Sequence, residues 1–175
     1  MKLNITLSLI IISLIFTLVS FQNQEIFIFW MNHYFLNNNE YLKVFIQFCF
    51  YSFIHGSIMH LAFNSLFLYI FWNQVEQIIW SKKYLIFFIL NTIFVWINIL
   101  LFSKANTVWI SWFGMALLSF YTLLLYEKKD NEYKWWITAI VINILIWLGA
   151  TISLVWHLFW AIFGFIFYII HKLWK

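Results

Sequence analysis

The stretch His55-Gly56-Ser57-Ile58-Met59-His60-Leu61-Ala62-Phe63-Asn64 opens an apolar run that continues to Glu76. A bilayer offers polar side chains in such a run no water, so they persist mainly where they face the interior of a helix bundle. His60 and Asn64 are four residues apart and therefore rise from nearly the same face of one helix. Two later positions share their setting: Ser111 opens one apolar run and His157 opens another. A hydroxyl nucleophile, an imidazole base and two side-chain donors on separate membrane helices are the parts of a buried serine hydrolase. The base activates the hydroxyl, and the donors meet the negative charge that develops on the substrate oxygen.

Composition sets the frame for that site. Of 175 residues, 65% are hydrophobic and 9% charged, with no proline, which is too apolar for a water-soluble domain of this size. The chain reads as an all-α integral membrane protein. All ten cations are Lys, so bidentate guanidinium clamps are excluded, and their scatter along termini and loops forms no nucleic-acid-binding patch. The single cysteine, Cys49, permits no intrachain disulfide and reads as a small packed hydrophobe. No metal site and no cofactor are expected. His55 and His60 lack the i, i+4 ligand spacing, and no Cys or carboxylate joins them and His157.

Six apolar stretches are long enough to span a bilayer, at about 1.5 Å of rise per residue. They are expected as helices over 3–21, 57–77, 84–102, 108–126, 135–153 and 154–171. Between the first two, 22–56 breaks into short apolar pieces and is expected as a long interfacial loop. A signal peptide is the alternative for the first stretch, but Leu18-Val19-Ser20 is a poor cleavage site. Without repeat, linker or low-complexity tract, 1–175 reads as a single domain. Alternating crossings collect Lys2, Lys82, Lys83, Lys128, Lys129, Lys134, Lys172 and Lys175 on one side, leaving Lys43 and Lys104 opposite. Both termini are therefore expected in the cytoplasm, most simply of a bacterial inner membrane. His60, Ser111 and His157 then lie near the outer ends of their helices, at one depth. His33 and His171 are expected to face solvent or the interface.

Taken together, these residues resemble the rhomboid family of intramembrane serine proteases. The likeness rests on His55, on His60 and Asn64 in His-x-x-x-Asn spacing, on Glu76 twelve residues later, on Ser111, and on His157 followed by Gly164. It covers the six-helix core from about Ser52 to the end. The resemblance implies a Ser111–His157 dyad, with His60 and Asn64 as oxyanion donors and His55, Glu76 and Gly164 as structural residues. It also implies membrane-protein substrates cleaved within the lipid bilayer. The sequence departs from the family at Trp109, Trp112, Trp156 and Trp160, where the family has small residues. Trp160, three residues after His157, is expected to hold the fourth and sixth helices apart. The alternative function is thus a rhomboid-like pseudoprotease that binds client helices without cutting them. Nothing in the sequence fixes an oligomeric state.

Overall fold

The chain is built on helices whose buried faces are set by close backbone approach and by polar clasps. A computed structural model describes residues 4–22, 29–102, 111–146 and 151–174, with the side chains of 71–73, 111–112, 146 and 151–157 outside the description. Every regular element among the described residues is helical. In chain order they are α1 (Ile5–Gln22), α2 (Tyr34–Asn37), α3 (Tyr41–Phe50), α4 (Ile58–Phe67), α5 (Asn73–Ile79), α6 (Ser81–Phe102), α7 (Ser111–Glu127), α8 (Tyr133–Ile146) and α9 (Thr151–Leu173). A π-helical turn, Leu68–Trp72, joins α4 to α5 without a break. Both α1 and α6 are long and apolar enough to cross a membrane. Tyr41–Phe53 and Ile58–Ile70 pass the same test together across a 64° bend, and Phe113–Glu127, Tyr133–Leu145 and Leu158–Leu173 are shorter apolar helices.

Three expectations shift. The stretch 22–56 carries α2 and α3, and Met31, Phe35, Val44, Gln47, Tyr51 and Ile54 on it are buried. Gln47 Nε2 donates to the Trp30 carbonyl at 2.6 Å, and Tyr51 Oη donates to the Thr92 carbonyl at 2.7 Å. The α5–α6 turn is a single residue, because Trp80 takes a left-handed φ of 69°, so α6 starts at Ser81 and not at 84. At the other end of the chain α9 begins by Thr151, ahead of the join expected between 153 and 154. Thr151-Ile152-Ser153 contains neither Gly nor Pro to stop a helix.

α1 buries Thr6, Leu9, Ser13, Thr17 and Ser20 and exposes Ile11, Leu14, Ile15, Leu18 and Val19. Its polar stripe faces inward, the arrangement a lipid-facing helix requires. Its N-terminal end is held by Glu76. The Glu76 carboxylate accepts from Ile5 N–H at 2.9 Å, Thr6 N–H at 3.0 Å, Thr6 Oγ1 at 2.8 Å and Ser81 Oγ at 2.6 Å. It thereby satisfies otherwise orphaned amides of the first turn of α1, where a negative charge also meets the helix dipole favourably.

α7 is the central helix, buried at Phe113, Met115, Ala116, Leu117, Leu118, Phe120, Leu124 and Leu125. Its most extensive partner is α9, which turns Trp160, Phe163, Gly164, Phe167 and His171 inward at helical spacing. A Cβ placed on Gly164 would lie 2.1 Å from the Ala116 carbonyl oxygen and 2.9 Å from Ser119 Cβ. Only glycine permits that approach. Below it, Phe87 stacks on Phe167 with centroids 3.9 Å apart, and Phe120 meets Phe167 at 5.7 Å and His171 at 5.6 Å. His171 is buried, contrary to expectation, because it continues the inward stripe of α9.

Two stability predictions follow. Gly164→Ala forces α9 off the α7 backbone and should cost about 1–3 kcal/mol, read as unfolding by denaturant titration in detergent micelles. Glu76→Ala leaves four donors without their acceptor and should cost about 3 kcal/mol or more by the same measurement, with Glu76→Gln intermediate. Wild-type stability in either alanine variant would contradict the packing described.

Candidate functional site

The N-terminal end of α4 is set by its cap. Ser57 is extended, at φ −157° and ψ 158°, and its Oγ accepts from the His60 N–H at 3.2 Å, so the helix starts at Ile58 and His60 falls in its first turn. His60 is half-buried, while Ile58, Met59 and Phe63 project outward. Asn64 follows one turn below. Its Nδ2 is buried and has no hydrogen-bond partner among the described residues.

His55 lies in the connector ahead of α4 and is fully buried. Its backbone N–H donates to Thr17 Oγ1 at 3.2 Å, and its ring Nδ1 stands 3.2 Å from the same oxygen. Thr17 in turn donates to the Phe53 carbonyl at 3.3 Å. With the hydroxyl proton on that carbonyl, Nδ1–H of His55 donates to Thr17 and Nε2 carries the lone pair. The Nε2 atom is buried with no partner among the described residues. The His55 and His60 rings meet at 78°, centroids 5.4 Å apart. Burial, reinforced by the His60 imidazole, lowers the His55 pKa to about 4 and keeps the ring neutral.

Ser111 is the first residue of α7, and His157 is the seventh of α9. Their side chains, and those of Trp112 and Trp156, lie outside the described residues, as does Trp109 altogether. Backbone register still relates the two positions. Gly164 faces Ala116 and Tyr168 faces Phe120, each pair 48 residues apart, and lower down Tyr168 and Lys172 both bind Glu127. Numbers rise together on both helices, so α7 and α9 run parallel. Ser111 and His157 are 46 residues apart, which puts their backbones within about 3 Å of one level along the helix axes. α4 packs on α7 as well, so the helices bearing His60, Ser111 and His157 are neighbours in series.

Trp160 is buried in a cluster with Met31, Tyr51, Val95, Ile99 and the α7 residues Met115 and Leu118, and its bulk does not prevent α7 and α9 from meeting at backbone distance one turn away. The crossing occurs one turn further along α9, at Gly164, and that residue sets the helix separation. Glu76 belongs to the other end of the molecule, sixteen residues or about 24 Å below His60. His33 is partly buried, its Nε2 3.1 Å from the Ile99 carbonyl. Sequence reading missed Thr17. The spacing of Thr6, Ser13, Thr17 and Ser20 on one helix face was the available signal.

A sequence profile of the Rhomboid domain matches residues 42–173, about three quarters of the chain. Neither a curated protein nor a solved structure gives a match. The matched range begins within α3 and includes His55, His60, Asn64, Glu76, Ser111, His157 and Gly164, but not α1. This apolar, all-helical integral membrane protein belongs to the rhomboid family.

Proposed function

We propose that the chain is an intramembrane serine endopeptidase that cleaves the membrane segments of other proteins. Ser111 is the nucleophile and His157 its general base. His157 takes the Ser111 proton as the hydroxyl attacks the scissile carbonyl, then returns it to the leaving amine. His60, Asn64 and the Ser111 N–H donate to the oxyanion, and water then hydrolyses the acyl-enzyme with His157 again as base. A substrate helix must unwind locally to present its carbonyl, because a hydrogen-bonded helix hides it. The proposal includes six spans, cytoplasmic termini and a bacterial inner membrane, following the distribution of Lys.

The observation that carries this reading is the α7–α9 register fixed at Gly164 and Ala116, which supports Ser111 and His157 at one level beside the helix bearing His60 and Asn64. The second reading, a pseudoprotease that holds client helices, is favoured by Trp109, Trp112 and Trp156 beside the dyad positions.

An activity-based fluorophosphonate separates the two. It should label the folded wild type and fail on Ser111→Ala and His157→Ala. His60→Ala and Asn64→Ala should each slow cleavage of a transmembrane substrate about 10²- to 10³-fold. A folded wild type that resists labelling and leaves bound client helices intact would instead establish the pseudoprotease.

A further inference from the structure

We infer that Thr17 on α1 is a positioning residue of this site, fixing the His55 ring and, through it, the imidazole of His60. The inference rests on the proposed role of His60 as an oxyanion donor. Thr17 is fully buried, and its hydroxyl lies within 3.3 Å of three groups on the connector: the Phe53 carbonyl, the His55 N–H and His55 Nδ1. The His55 ring is held on its Nδ1 side by this hydroxyl and by the Phe53 backbone, which Thr17 also binds, while Nε2 has no partner among the described residues.

An imidazole without the hydroxyl loses one of the two polar contacts that set its plane. The χ2 torsion of histidine is broad and roughly two-fold, so packing alone defines the ring plane poorly, whereas a hydrogen bond at one nitrogen selects it. His55 meets His60 edge to face at 5.4 Å, so turning one ring displaces the other. Thr17 is well suited to this task. As a β-branched residue it has restricted χ1, and its helix is anchored at the opposite end by Glu76. Ser20 Oγ donates to the Thr17 carbonyl at 2.8 Å and further ties down this turn. The hydroxyl comes from α1, outside the residues 42–173 that match the family profile, so part of the site's order is supplied from beyond the matched region.

The test uses the full chain in micelles with nitrogen-15 histidine. Thr17→Val keeps the shape and removes the hydroxyl, while Thr17→Ser keeps the hydroxyl. Thr17→Val should shift the ring-nitrogen resonances of His60 and lower kcat by about ten- to a hundredfold at unchanged KM. Thr17→Ser should restore both, and Thr17→Ala repeats the hydroxyl deletion if the valine variant does not fold. His60 resonances that stay at wild-type positions in a folded hydroxyl-free variant overturn the inference. The resonance readout does not depend on Ser111. A chain inert to fluorophosphonate that still shows the shift would refute the endopeptidase reading and leave the Thr17–His55–His60 linkage standing.

Discussion

One missing methyl group governs the geometry of this bundle. At Gly164 α9 rests on the backbone of α7, with room for a hydrogen atom and no more. In lipid the hydrophobic effect gives helices little reason to associate, so close van der Waals contact must do so. A contact at backbone distance also fixes sliding, because moving either helix by a residue drives a side chain into the Ala116 carbonyl. The aromatic layers below, Phe87 on Phe167 and Phe120 against Phe167 and His171, are in register with it. Above it, the same register carries the backbones of Ser111 and His157 to one level.

The second constraint is polar. α1 reaches the rest of the chain through hydroxyls, at Glu76 through Thr6 and at His55 through Thr17. These contacts are eleven residues apart, about 16 Å along the helix, and bracket α4 and α5 from below and above. A hydrogen bond in a low-dielectric interior is costly to break without replacement, so the two clasps add to the packing of Leu9 and Phe16 in holding α1. Glu76 organises the N-terminal end of α1 and His55 the C-terminal end, beside His60.

Much of this was legible in the sequence. Apolar run lengths located the main helices, and the four-residue spacing of His60 and Asn64 put both on one helix, α4. What escaped notice did so for physical reasons. α3 is too short to span a bilayer and so reads as part of a loop, and the burial of Gln47 on it depends on a partner distant in sequence, the Trp30 carbonyl. Trp160 reads as an obstacle in sequence because bulk near a dyad suggests separation, but the crossing point lies a turn away. Thr17 passed as one polar interruption among six in α1. In water the buried face of a helix is its apolar one, and the inverted rule for lipid was needed to see that Thr6, Ser13, Thr17 and Ser20 point inward.

The central claim is the register of α7 on α9, and cysteine cross-linking across it is its most direct test. With Cys49→Ser as background, Ser111→Cys paired with His157→Cys should be joined in native membranes by a bifunctional thiol reagent spanning about 5 Å, a reach comparable to the Cα separation of a disulfide. Pairing Ser111→Cys with Ile166→Cys, some nine residues lower on α9, should give no product. Efficient joining of the lower pair and none of the upper would contradict the account, because α9 would then sit more than two turns out of the register set by Gly164.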